Sequence, residues 1–101
     1  MDYEQERIEL LNICQLAIND MMGHGEILLN STPRGMIGNQ VYPATVSMHY
    51  AFQRLTFHIL PNGYSVDLQK HHCKLSVYIG RDDKCPLDRI IAQFIIRLIS
   101  E

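Results

Sequence analysis

Near the start of the chain, apolar residues recur at spacings of three and four, at Leu10, Leu11, Cys14, Ala17, Ile18, Met21 and Met22, which is the period of one helical face. The spacing predicts a helix from Tyr3 to Met22. Glu4, Glu6 and Glu9 sit in its early turns, where carboxylates favour the positive end of the helix dipole, and Gly23 supplies a left-handed stop. Beyond Pro43 the period changes to two. Val46, Met48 and Tyr50 alternate with Thr45, Ser47 and His49. Leu55, Phe57 and Ile59 alternate with Arg54, Thr56 and His58, then Tyr64, Val66 and Leu68 with Ser65, Asp67 and Gln69, and Cys73, Leu75, Val77 and Ile79 with Lys74, Ser76 and Tyr78. Each run reads as a strand with one apolar face. Pro61-Asn62-Gly63 predicts a tight hairpin, with the glycine taken as the residue of positive φ. A second helical pattern runs from about Pro86 to Ser100, with Pro86 suited to the first helical position and Asp88 in the first turn.

Because every strand has one apolar face, both helices are expected on the same side of the sheet. The resulting expectation is an α+β two-layer sandwich of order αββββα, an antiparallel four-stranded meander with N- and C-terminal helices on one face, forming a single domain over residues 1–101. Between the first helix and the first strand, Gly23, Gly25, Pro33, Gly35 and Gly38 predict a mainly looped stretch in which only Glu26 to Leu29 could form a short strand or helical turn.

Composition narrows the function. With 47% apolar and 20% charged residues the chain can fold on its own core, and its net charge of −2 disfavours a phosphate-neutralising surface. Arg81-Asp82-Asp83-Lys84 is its one charge cluster, and its signs are mixed. The order of elements resembles that of double-stranded RNA-binding domains. Their second helix opens with a lysine-rich segment that grips phosphate, whereas this one opens Asp82-Asp83-Lys84-Cys85-Pro86-Leu87-Asp88, so no function carries over. Gly35-x-x-Gly38 matches the phosphate-clamping loop of KH domains but lacks a predicted helix on either side and has only Arg34 as a nearby cation. Nucleic acid is therefore not an expected partner. Nor is a membrane, since no apolar run approaches the length of a span. Three cysteines without close pairing and an acidic N-terminus point to a reducing, cytoplasmic setting.

Candidate chemistry is sparse. His71-His72-Cys73, with His58 on a neighbouring strand, offers zinc-type donors, but on a strand His71 and Cys73 share a face that His72 leaves, so no metal site is assigned. Cys85 follows Lys84 and precedes Pro86 at a helix start, two features that lower a thiol pKa, yet no base or oxyanion donor is nearby in sequence. No catalytic residue and no cofactor are assigned.

Apolar surplus is the stronger signal. Projected at 100° per residue, the last helix turns Leu87, Ile90, Ile91, Phe94 and Leu98 to the core, while Ile95 at the edge, Ala92, Ile96 and Ile99 extend the apolar surface further. The first helix could absorb that surplus, or it could be an interface. Met36 and Ile37, between two glycines, place large apolar side chains on a stretch with little to bury them. The expectation is a small non-enzymatic protein-interaction module, an inhibitor, adaptor or chaperone-like subunit, that binds a larger protein or dimerises through Met36, Ile37, Ile95, Ile96 and Ile99. The alternative is a small thiol- or zinc-dependent enzyme centred on Cys85 or on His71 to Cys73.

Overall fold

The first helix, α1 (Tyr3–Asp20), starts where Asp2 in extended conformation caps it by accepting from the Gln5 N–H at 3.1 Å. It buries Leu10, Cys14 and Ile18 at spacings of four, so the predicted face is the one turned inward. A computed structural model describes residues 2–21, 26–81 and 86–100, so Met22 and Gly23, the expected end of this helix, lie outside the described residues.

The meander expected after Pro43 is present as β4 (Ala44–Tyr50), β5 (Gln53–Leu60), β6 (Gly63–Gln69) and β7 (Lys74–Gly80), all antiparallel. A fifth strand, β1 (Leu28–Thr32), pairs with β4 and sets the order β1-β4-β5-β6-β7. The stretch expected to be mainly loop also holds a separate hairpin, β2 (Gly35–Ile37) with β3 (Gln40–Tyr42). Both departures have a related cause: β1 half-buries a face that is only partly apolar, and β2 and β3 bury no face at all. In β1, apolar Leu28 is turned outward and polar Ser31 inward, the reverse of the period that marks a half-buried strand, and every residue of β2 and β3 is exposed.

Across the register, inward side chains line up in rows. Met48, Leu55, Leu68 and Leu75 form one, and Val46, Phe57, Val66 and Val77 the next. Helix α1 packs over β1, β4 and β5, and α2 (Leu87–Ile99) packs over β5 beside α1. Under this layer Val46, Met48, Leu55, Phe57 and Val66 are completely buried, each worth about 1.5–3 kcal/mol by transfer from water. Phe57 meets Phe94 edge to face, with centroids 6.3 Å apart.

Helix α2 corrects one expectation. Ile95, placed at the rim of the projected face and counted with the contact surface, is fully buried with Ile91 and Leu98 and belongs to the core. For Ile95 it is the first helix that absorbs the surplus: α2 sits in the angle between the sheet and α1, which widens the stripe that must be apolar. Ile99 packs against the core, and Ile96 remains half exposed. Pro86 caps the helix from outside rather than occupying its first turn.

Polar side chains close the ends. Gln53, buried between the layers, donates to the Leu98 carbonyl at 2.7 Å, and Lys70 Nζ donates to the carbonyls of Arg97 and Ser100, satisfying groups that the last helical turn leaves unpaired. Arg81, the first residue of the mixed-sign cluster in the sequence, is a clamp. It pairs with Glu6 of α1 at 2.7 Å and donates to the carbonyls of Pro61 and Leu60.

Two glycine positions and one alanine show what the turns require. Gly38 has φ +62°, as the first central residue of the two-residue β2–β3 turn demands. Gly63, expected to supply positive φ, has none; a Cβ there would lie 2.1 Å from the Ile79 carbonyl oxygen, so the constraint is close approach of β7. Ala51 takes φ +54° between β4 and β5 without being glycine. That conformation costs an L-residue roughly 1–2 kcal/mol, against about 0.5–1 kcal/mol for the extra chain entropy of glycine. Ala51→Gly is therefore expected to stabilise the fold by about 0.5–1 kcal/mol, seen in chemical denaturation as a higher midpoint with an unchanged slope. A lower midpoint would show that the turn is not strained.

Candidate functional site

The face of the sheet away from the helices is polar across β4 to β7, with Leu28 of β1 apolar at one edge. Thr45, His58, Ser65 and Tyr78 lie in one row, Ser47, Thr56, Asp67 and Ser76 in the next, and His49, Arg54, Gln69 and Lys74 in the third. Alternation puts them there: each points away from the side of the sheet to which its neighbours along the strand turn. All but Ser65, Ser76 and Tyr78 line a shallow depression of about 390 Å³ centred on β4 to β6.

At one end of this floor the β2–β3 hairpin rises beside the sheet. Met36, Ile37 and Tyr42 form an apolar wall and, with Thr45 and His58 of the floor, enclose a second hollow of about 520 Å³. Thr45 and His58 line both hollows, so the two are one cleft with a polar floor and an apolar end. Hydrogen bonds and a ring contact hold the hairpin side. Arg34 lies 4.4 Å over the Tyr3 ring, a cation–π contact with the start of α1, and the Tyr42 hydroxyl donates to Gln40. The Gly35-x-x-Gly38 spacing is thus part of a β-hairpin, not of a loop between helices.

Charge on the floor is organised around Asp67. One carboxylate oxygen accepts from the Ser76 hydroxyl at 2.7 Å and the other meets His58 Nε2 at 3.0 Å. The Ser76 bond holds the Asp67 carboxyl below its ordinary value, partial burial opposes that, and the His58 bond adds to it. An ionised carboxylate only accepts, so Nε2 of His58 is the donor in this pair. The three residues do not have the order of a nucleophilic triad, in which imidazole stands between hydroxyl and carboxylate. Here the carboxylate is central, the serine proton points at it, and no imidazole stands behind the hydroxyl. The arrangement fixes three strands and presents an imidazole. Arg54 and Lys74 make the far end of the floor cationic, with Arg54 held by Gln69.

Residues singled out from sequence fall in different places. Met36 and Ile37, 68% and 71% exposed, stand at the cleft, while Ile95, Ile96 and Ile99 belong to the opposite layer. His71, His72 and Cys73 lie exposed at the turn after β6, away from His58. Among the described residues no group of three or more His, Cys, Asp or Glu stands close enough to hold a metal ion. Cys85 lies outside the described residues. Cys14 is sealed in the core, where burial pushes its thiol up to about 12, and Cys73 is exposed. Sequence reading missed the floor itself, although its signal was present in the polar half of each alternating run. It also missed Phe52, 91% exposed after the strained Ala51 and tilted against His71, because Tyr50-Ala51-Phe52-Gln53 contains no turn-forming residue.

Comparison of the chain with family models, with curated proteins and with solved structures finds no match in any of the three. No helix among the described residues is long and apolar enough to cross a membrane.

Two measurements follow from this geometry. A carboxyl whose folded pKa is depressed adds stability that is fully present above its unfolded value and is lost as pH falls through the folded value. Asp67→Asn is therefore expected to cost about 0.5 kcal/mol near neutrality, a modest figure because the pair is part-exposed, and the gap to wild type should close as pH is lowered below about 4. A gap that persists at pH 2 to 3 would mean that the charge is not what matters. In native protein, Cys73 should alkylate at once and Cys14 only on unfolding, read by mass spectrometry of digested samples.

Proposed function

We propose that this chain is a small non-enzymatic interaction module that takes an extended segment of another protein across the outer face of its sheet. One observation carries the reading: an ordered hairpin holds Met36 and Ile37 in solvent beside a polar floor. Large apolar side chains exposed on a fixed backbone lose little entropy on contact, and rimmed by polar groups they have the composition of an interface anchor.

The shape supports a peptide rather than a small molecule. Ligand pockets for small molecules enclose most of their occupant, whereas this cleft is open along the floor. An apolar side chain of the segment would fill the hollow under Met36, Ile37 and Tyr42, and the rest would run towards Arg54 and Lys74. With Arg54 and Lys74 against Asp67 the floor is a net cation on a chain of net charge −2, which favours an acidic segment. Catalysis has less support, because the Ser76–Asp67–His58 order leaves the serine unactivated and Asp67 a weak base. A cytoplasmic setting fits an exposed Cys73 thiol.

The test is capture of binding proteins from a lysate of the native host by wild type and by a Met36→Asp, Ile37→Asp variant, each confirmed as folded by circular dichroism. Both positions are exposed, so stability should change by no more than about 0.5 kcal/mol. Binding of the wild-type partner should fall by two hot-spot increments, on the order of a hundredfold or more. Ile96→Asp, on the other layer, should leave it unchanged. If the hairpin variant retains the partner, the cleft is not the binding surface.

A further inference from the structure

We propose that two copies of this chain pair edge to edge through β7, antiparallel about a two-fold axis at Val77, to form one continuous sheet with all helices on the same side. The inference does not depend on what the outer face binds. It starts from the position of β7, which ends the strand order and has only β6 beside it; among the described residues no strand covers its other edge.

The phase of the ladder shows which backbone groups that edge offers. Lys70 N–H donates to the Cys73 carbonyl at 2.9 Å and Arg81 N–H to the Asn62 carbonyl at 3.1 Å, one bond at each end of the unbroken β6–β7 register. Hydrogen-bonded and non-bonded pairs alternate in an antiparallel ladder, so Leu68/Leu75, Val66/Val77 and Tyr64/Ile79 are the bonded pairs. Ser76 and Tyr78 therefore direct their N–H and carbonyl groups away from β6. An edge of this kind recruits another strand unless something prevents it.

The sequence of β7 is its own complement. With Val77 opposite Val77 of the second copy, Leu75 faces Ile79 and Ser76 faces Tyr78. The outward backbone groups of Ser76 and Tyr78 then meet as bonded pairs, and Val77 falls at a non-bonded position, where side chains come closest. All the apolar contacts lie on the helix side and the polar ones on the other. The only charge in the strand, Lys74, falls opposite Gly80, so no like charges meet.

Two further features favour a second copy. The row Val46–Phe57–Val66 is completely buried, but its continuation Val77 is 36% exposed, and Leu75 beside buried Leu68 is 37% exposed, because the helices stop short of β7. A symmetry-related β7 extends that apolar row with its own. The other sheet edge carries the devices that prevent pairing: β1 is short, polar at Asn30-Ser31-Thr32, and stopped by Pro33. β7 has neither a proline nor a bulge.

Sedimentation velocity over a concentration series tests the proposal. Wild type should approach twice the chain mass of 11.7 kDa as concentration rises. Val77→Lys puts like charges on the axis, and Tyr78→Pro removes an outward donor that the β6 ladder does not use; each should weaken the dimer on the order of a hundredfold while circular dichroism stays native. In a Cys73→Ser, Cys85→Ser background, Val77→Cys should oxidise to a disulfide-linked dimer, since Cα atoms at such a position are about 4.5 Å apart, whereas Leu75→Cys should not. If Tyr78→Pro unfolds, Val77→Lys and the cross-link decide. A monomer at every concentration, a dimer indifferent to Val77→Lys, or cross-linking at Leu75→Cys in place of Val77→Cys would overturn the proposal.

Discussion

Burial of Phe57 under the two helices is the contact on which the rest of the molecule depends. It occupies the middle of the central strand, in a row with Val46 and Val66, and meets Phe94 of α2 edge to face. Because side chains alternate with a period of two, sliding any strand by one residue would turn this row to solvent and bring Thr56, His58 or Asp67 inside. The register is thus set by the core, and the polar face inherits its arrangement at no separate cost. Asp67 reaches both His58 and Ser76 because Val66 must lie between Phe57 and Val77.

The same core explains where the structure is left open. Two helices in contact cover a limited width of sheet: here they pack on β1, β4 and β5, and burial extends to Val66 and Leu68 of β6. One apolar strand remains beyond the cover, and one short hairpin projects beside the face that no helix occupies. These are different kinds of exposure. At β7 the apolar row is exposed and, among the described residues, no strand pairs with the outward groups of Ser76 and Tyr78, the kind of surface that suits another strand. At β2–β3 the backbone is paired and only side chains are offered, which calls for side chains.

The parts of the fold legible in the sequence are those in which burial writes a period. Strands β4 to β6 of the meander, and the buried face of α1, stand in the sequence because one side of each meets the core. Strand β7 is the instructive member: its pattern is as regular as that of β6, yet its side chains are exposed, so periodicity records the face a strand presents and not whether anything covers it. β2 and β3 have no such face, and the inward face of β1, Leu29 and Ser31, is too mixed to write a pattern. Arg81 and Glu6 are joined across seventy-five positions, a pairing with no local trace. Ile95 failed differently, because a helical projection cannot include a second helix whose position it does not know. At the site, Met36 and Ile37 were visible as apolar residues among glycines, while the floor went unread because polar halves of strands ordinarily face only water.

Asp67 links the two open surfaces. Its bonds to His58 on β5 and Ser76 on β7 cross β6 on the outer face, so the edge strand is held to the centre of the sheet by side chains as well as by its ladder. A floor stiffened in this way keeps Arg54 and Lys74 at fixed separation from the hairpin, and an edge stiffened in this way keeps Ser76 and Tyr78 extended. Both kinds of contact gain from surfaces that are already ordered, because little conformational entropy remains to be lost. The carboxylate at the centre therefore serves rigidity on both sides of β6, which accounts for a hydroxyl, a carboxylate and an imidazole standing together in an order unsuited to acyl transfer.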